Sequence, residues 1–195
     1  MSKTENINIM SNVPDDNWKP QYGEETEKVL EKVFEGDADA KEKIKAETYH
    51  IMKLCGNPNK NNNDDTGLVF GYVQSGKTLS FTTLTALARD NDYQIVIILA
   101  GISTNLVNQS FNRLQNDLGV NQGFHRKWLM LNNPKDPNRN PQDKNTIQRE
   151  LQNWKKPNTP DEFRKTLLIT VMKNSSHLKN LLEVLKKLDL FKVPT

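Results

Sequence analysis

The residues Gly71 to Thr78, GYVQSGKT, have the types and the spacing of a phosphate-binding loop. Two glycines five positions apart let the backbone curl, so that successive N–H groups point at phosphate oxygens. The ammonium of Lys77 reaches the β- and γ-phosphates, and the hydroxyl of Thr78 is a ligand for the Mg²⁺ that bridges them. The residues predicted to bind nucleotide are Gly71, Gln74, Ser75, Gly76, Lys77 and Thr78, and the last two are the candidate catalytic residues.

The elements around this loop alternate in the order that a phosphate-binding loop requires. The sequence predicts a short apolar strand over residues 67–72 before the loop and an amphipathic helix over 77–89 after it. The interpretation without a nucleotide is a tight glycine turn between strand and helix. Strand followed by helix favours the phosphate-binding interpretation, because the positive N-terminal end of a helix adds to the anion site.

Further elements extend this alternation and predict an α/β fold with parallel strands. QIVIILA, residues 94–100, is an apolar strand expected to be buried on both faces. A second strand is expected over residues 166–172. Shorter segments at 128–131 and 147–154 are read as a strand and a helix. Longer helices are expected over residues 103–118 and 176–190; the second has Ser175 as its N-cap and Leu178, Leu181, Leu182, Leu185 and Leu188 facing inward.

The domain organisation predicted from composition has three parts. Residues 1–22 form a flexible lead. Residues 23–65 form a helical prelude, with helices over 24–34 and 38–54 followed by an Asn-rich loop. Residues 66–195 form the core of a P-loop NTPase.

Charge and composition narrow the classes of function. The net charge is +3, and residues 67–195 carry 18 Lys and Arg against 10 Asp and Glu. A basic surface suits a polyanion such as nucleic acid, although a solvated surface explains it equally well. No apolar run approaches the roughly 20 residues of a membrane span. The single cysteine, Cys55, leaves no intrachain disulfide, and we expect a cytoplasmic protein without a membrane partner.

The segment from residue 66 to residue 114 resembles the Z1 domain, a family of helicase-like P-loop proteins described as endonucleases. The match lies in GYVQSGKT, then LAG at residues 99–101, then Asn105-Leu106 and Gln109. The resemblance implies a superfamily 2 helicase-like fold, ATP as the nucleotide, DNA as the expected nucleic acid and a nuclease or other subunit as partner. It also places Gly101, Ile102, Ser103 and Asn105 near nucleic-acid phosphates, with Thr170 as a weaker candidate.

One departure from that family concerns hydrolysis. Helicase-like ATPases carry an acidic strand end that holds Mg²⁺ and positions water, and no apolar run of this sequence ends in Asp-Asp or Asp-Glu. We therefore expect the N-terminal part of a longer protein, with an incomplete sheet. Three functions stay open: an ATPase module acting on nucleic acid, a non-catalytic nucleotide-binding or assembly module, and a P-loop kinase. Ser103 is also open, since a helix N-cap explains it as well as a phosphate contact does.

Overall fold

The computed structural model describes residues 9–10, 18–33, 37–59, 68–69, 77–120 and 127–188. They belong to two compact units, one within residues 1–93 and the other within residues 94–195. The first unit contains β1 (Ile9–Met10), α1 (Glu24–Val33), α2 (Ala38–Leu54), β2 (Leu68–Val69) and α3 (Lys77–Asp90). The second contains β3 (Ile95–Ala100), α4 (Thr104–Asp117), β4 (Trp128–Asn132), α5 (Gln142–Lys155), a 3₁₀ turn (Asp161–Phe163), β5 (Thr166–Met172) and α6 (Ser175–Lys187).

The first unit is built from three helices, with α1 and α2 both packed against α3. Each of α1 and α2 buries an apolar stripe, which includes Val29 and Leu30 of α1 and Ile51 and Met52 of α2. The predicted membership of β2 in the parallel sheet differs from the structure. Leu68 and Val69 pair antiparallel with Met10 and Ile9 in a separate two-stranded sheet. Distant pairing of this kind leaves no local signal in the sequence.

The end of the predicted flexible lead is packed against these helices. Trp18 is buried, and its indole N–H donates to the carbonyl of Met52 over 3.1 Å. The hydroxyl of Tyr22 donates to the carbonyl of Lys45 over 2.8 Å. Residues 18–22 therefore belong to the packed structure of the first unit. The two units divide between Tyr93 and Gln94, whereas the composition predicts a boundary at residues 65 and 66.

The second unit has the α/β architecture predicted from the alternation of elements. Its three strands are parallel, in the order β3-β5-β4. The central strand β5 is buried along residues 166–171, because it has a strand on each side and helices over it. Leu167, Ile169 and Val171 form the centre of a core with Ile147 and Leu151 of α5, Leu181 and Val184 of α6, and Leu188 directly after α6.

The expectation that β3 is buried on both faces is wrong. Ile97 is 38% exposed and Leu99 is 46% exposed. The physical reason is the strand order. Among the described strands β3 lies at an edge of the parallel sheet, whereas α5 and α6 pack on the central strand β5. The apolar composition of β3 is equally compatible with an edge and a central position, so only the topology reveals the difference.

The start and the buried face of α6 also differ from the prediction. The helix begins at Ser175, and Asn174 is its N-cap, accepting from the backbone N–H of His177 over 2.9 Å. Leu178 and Leu182 are exposed, whereas Val184 takes a place in the core. The inward face therefore runs along Leu181, Val184 and Leu188.

Candidate functional site

The helix that follows the candidate phosphate-binding loop begins at Lys77. Residues 71–76 and the side chains of Lys77 and Thr78 lie outside the described residues. The backbone of α3 starts where a phosphate-binding loop needs a helix to start, directly after the second glycine. The first turn of α3 contains no acidic residue, so its positive N-terminal end is not offset by a carboxylate on the same turn.

The opposite end of α3 is tied to the start of α1 by one carboxylate. Asp90 accepts hydrogen bonds from the backbone N–H groups of Gly23, Glu25 and Thr26 and from the Thr26 hydroxyl, over 2.5–3.1 Å. The Asp90 carboxylate thereby pairs the N–H groups of Glu25 and Thr26, which an α-helix leaves unpaired in its first turn. Burial raises the pKa of the Asp90 carboxyl above its ordinary value, and the hydrogen bonds from Thr26, Glu25 and Gly23 oppose that shift.

Asn91 and Tyr93 extend this connection to Gln21, at the end of the predicted lead, and to Gly56 of the prelude. The side-chain oxygen of Asn91 accepts from the N–H of Gln21 over 2.7 Å, and its amide nitrogen donates to the Gln21 carbonyl over 2.8 Å. The hydroxyl of Tyr93 donates to the carbonyl of Gly56, and burial raises the pKa of that phenol. Residues 90–93 therefore hold α3 against the helical prelude. No local sequence pattern signals these contacts, because their partners lie tens of residues away.

The candidate nucleic-acid residues lie at the carboxyl end of β3. Gly101 has a φ of +50°, and its carbonyl accepts from the N–H of Lys173 over 2.9 Å. Ile102 is 77% exposed, and Ser103 and Asn105 are exposed beside it. Ser103 is the N-cap of α4, accepting from the N–H of Leu106 over 3.4 Å. The structure thus brings all four predicted residues together at one exposed helix start.

Gly101 has a steric role at this helix start. A Cβ atom built on it would lie 2.6 Å from the Cβ of Leu106, closer than side chains approach each other. The left-handed φ also disfavours any residue with a side chain. Glycine is therefore required for β3 to turn directly into α4.

A network of polar side chains lies at the same edge, where parallel strands all present their carboxyl ends. Asn132 accepts from the hydroxyl of Thr170 over 3.2 Å and donates to Asn108 on α4 over 3.1 Å. Asn133 has a φ of +48°, and its side chain accepts from the N–H of Met172 over 2.8 Å. Thr170 is fully buried, so its hydroxyl serves this network and is not at the surface. In the sequence, the signal for this network is the pair Asn132-Asn133 at the end of β4, which was not among the predicted site residues.

The electrostatics of this edge are set by two helix starts. Both α4 and α6 begin after parallel strands that end here, and neither first turn contains an acidic residue. Lys173, exposed between β5 and α6, adds a positive charge. An edge of this kind favours anionic oxygens such as those of phosphate.

Metal ligands are sparse in the described part of the chain. Among those residues there is no group of three His, Cys, Asp or Glu side chains able to hold a metal ion. The strands β3, β4 and β5 end at Ala100, Asn132 and Met172, so none of these three ends in a carboxylate. The Mg²⁺ ligand predicted from the sequence, Thr78, lies outside the described side chains.

Comparisons with protein-family models, with curated proteins and with solved structures find no match for this chain. The resemblance to the Z1 domain therefore stays a prediction from the residues quoted above. Among the helices that the structure describes, none combines the length and the apolar character needed to cross a membrane.

Proposed function

We propose that this chain is the ATP-binding, helicase-like module of a protein that processes nucleic acid, and that it binds ATP and Mg²⁺ through GYVQSGKT. The observation that carries the proposal is the coincidence of the loop spacing with a helix that begins at Lys77. Backbone N–H groups of residues 74–78 hold the phosphates, Lys77 neutralises their charge, and Thr78 is the magnesium ligand.

The nucleic-acid part of the proposal depends on the carboxyl edge of the sheet. Gly101, Ile102, Ser103 and Asn105 lie at an exposed helix start without acidic neighbours in its first turn. Backbone N–H groups at such a start bind phosphate oxygens irrespective of base sequence. DNA is the proposed polymer, a nuclease is the proposed partner, and the cytoplasm is the proposed compartment.

Nucleotide binding is tested by titrating the protein with ATP in the presence and absence of Mg²⁺. Lys77→Ala is expected to lose at least tenfold in affinity, because the lysine contacts the most highly charged phosphates. Lys53→Ala, in the last turn of α2, is the matched control and should bind as the wild type does. Equal affinity of all three folded proteins, or no binding by any of them, contradicts the proposal.

Nucleic-acid binding is tested separately with a fluorescent single-stranded DNA. Asn105→Ala is expected to weaken binding several-fold, whereas Asn112→Ala should not. Asn112 is exposed on the same helix, two turns from its start. Equal effects of the two variants would mean that the α4 start is not the contact.

A binding-only nucleotide module is the second candidate, favoured by the absence of an acidic end on β3, β4 and β5. It predicts ATP binding that depends on Lys77, together with negligible hydrolysis. Hydrolysis that Lys77→Ala abolishes would instead show that a residue of this chain positions the attacking water. Phosphate transfer to a small acceptor, independent of DNA, would favour the third possibility, a P-loop kinase.

A further inference from the structure

The loop between α5 and β5 is fastened by side chains from both of its ends. The indole N–H of Trp154, in the last turn of α5, donates to the carbonyl of Lys165 over 2.8 Å. The guanidinium of Arg164 donates to the carbonyls of Lys156 and Pro157, each over 3.5 Å. The two ends of the loop are therefore held together at the amino end of β5.

A second set of contacts holds the 3₁₀ turn within this loop. The backbone N–H of Phe163 donates to the carbonyl of Pro160 over 3.0 Å. The backbone N–H of Arg164 donates to the carbonyl of Asp161, also over 3.0 Å. The carboxylate of Asp161 pairs with the ammonium of Lys127, directly before β4. The turn is thus connected to the starts of two neighbouring strands.

This turn presents an aromatic ring in a basic segment of the chain. Phe163 is 56% exposed. A single apolar residue at a surface is ordinary, but the charge around this one is not. Residues 127 and 154–165 contain five basic and two acidic residues, and one of those acids, Asp161, is paired with Lys127. An aromatic ring among basic side chains is the combination with which proteins bind single-stranded nucleic acid, since phosphates contact the cations and a base stacks on the ring.

The ring distinguishes a single strand from other anionic partners. The bases of a duplex are stacked on each other inside it, so they do not reach a side chain at the surface. A membrane surface calls for a larger apolar face than one half-exposed ring supplies. An acidic peptide would satisfy the positive charges but has no use for a flat aromatic surface.

We propose that Phe163, Lys156 and Lys165 form a contact surface for single-stranded nucleic acid, in which a base stacks on the Phe163 ring and the two lysines bind neighbouring phosphates. Lys156 is exposed, and Lys165 is half-buried, which leaves a lysine ammonium able to reach water. The surface lies at the amino ends of β4 and β5, whereas the contact proposed above lies at the carboxyl end of β3. It therefore depends neither on ATP binding nor on the start of α4.

Fluorescence anisotropy of the full chain with two probes of equal length tests the proposal. One probe is oligodeoxythymidylate, and the other is an abasic oligonucleotide with the same sugars and phosphates. Phe163→Leu keeps an apolar side chain but removes the aromatic ring. We expect it to bind the thymidylate about 5- to 150-fold more weakly and the abasic probe as the wild type does. Lys156→Ala and Lys165→Ala should weaken both probes, and each should reduce the salt dependence of log K by about 0.7.

Lys135→Ala and Leu182→Ala are the matched controls. Lys135 is an exposed lysine between β4 and α5, and Leu182 is a 49% exposed leucine of α6. Both variants should bind the two probes as the wild type does. Equal affinity of Phe163→Leu and wild type for the thymidylate, with wild-type circular dichroism, overturns the proposal. Polyglutamate that competes as well as the thymidylate overturns it too, because the surface would then fit an acidic protein.

Asn105→Ala separates this surface from the contact at the start of α4. Weaker binding of the thymidylate by Asn105→Ala, together with unchanged binding by Phe163→Leu, rejects the present inference and leaves the proposed function in place. The reverse result supports this surface and rejects the contact at α4.

Discussion

Replacing Asp90 with alanine is expected to destabilise the first unit more than any other single loss of a polar side chain described above. The substitution removes the acceptor for three backbone N–H groups and one hydroxyl at the start of α1. Loss of an N-terminal cap costs about 0.5–2 kcal/mol, and a hydrogen bond to a charged group contributes about 1.5–3 kcal/mol. Water reaches part of this cluster, so we expect a total of about 2–3 kcal/mol rather than the sum of four bonds.

The assay combines thermal unfolding with hydrogen exchange. A unit of this size loses about 4–8 °C in melting temperature per kcal/mol, which predicts a decrease of roughly 10–20 °C. Exchange of the Gly23, Glu25 and Thr26 amides should accelerate in Asp90→Ala. Thr26→Val, which removes the hydroxyl donor alone, should cost only about 1 kcal/mol. Asp39→Ala, an exposed acid in the first turn of α2, is the control.

The pH dependence of this effect has a definite sign. The folded pKa of Asp90 lies above its ordinary value of 3.8 because of burial, so the folded state binds the proton first as pH falls. The wild type should therefore gain stability relative to Asp90→Asn as pH falls from the raised pKa of the folded state to the ordinary value of 3.8. A change below about 0.5 kcal/mol in Asp90→Ala, with unchanged amide exchange at Thr26, would refute the capping role.

Three further predictions concern other contacts. Burial, with smaller contributions from neighbouring charges, raises the pKa of Tyr22 to about 12, so ultraviolet titration should show a phenol ionising near that pH, and stability should fall as pH rises from 10 through that value. The hydrogen bond from Lys45 lowers the pKa of Glu27, so Glu27→Gln should cost about 0.5–1 kcal/mol at neutral pH, and the difference should vanish as pH falls below the folded pKa. Gly101→Ala should cost about 2 kcal/mol in urea unfolding, from the left-handed φ and the collision with Leu106.

Each of these predictions has a control in the same region. Tyr22→Phe should remove one late phenol transition and leave that of Tyr93, whose pKa burial also raises. An unchanged number of late phenols in Tyr22→Phe would refute the assignment to Tyr22. Glu31→Gln, on the exposed face of α1, should leave stability within about 0.5 kcal/mol. Gly119→Ala tests the backbone contribution alone, since its φ is also positive at 60°. Equal costs at 101 and 119 would show that contact with Leu106 adds nothing.

Local pattern was sufficient to predict several elements of this protein. The predicted helix over residues 38–54 and strand over 166–172 coincide with α2 and β5, because their periodicity and composition point to one structure. The four candidate residues around Ser103 lie together at the start of α4 because they are nearly contiguous, and their contact with nucleic acid stays a prediction. The chemistry of the loop at 71–76 lies outside the described residues and stays a prediction.

Pairing between distant segments was not predictable. Asp90 accepts hydrogen bonds from Gly23 and Thr26, which precede it by 67 and 64 positions in the sequence. Nothing in the sequence next to Asp90 distinguishes it from a solvated carboxylate at a helix end. The antiparallel partner of Leu68–Val69 comes from residues 9–10, in a segment with no clear periodicity. The exposure of Ile97 depends on strand order, which composition does not encode.

The central position of β5 has a consequence for the order of assembly during synthesis. β5 pairs with both other strands of the parallel sheet, yet it is the last of the three to be made. At roughly 5–20 residues per second, about 80 residues separate the completion of the first unit from that of β5, a delay of some 4–16 s. In the second half of this interval, after β4 is complete at Asn132, the nascent chain carries β3 and β4 without their common neighbour. The first unit is therefore complete before the parallel sheet, which requires β5 up to Met172.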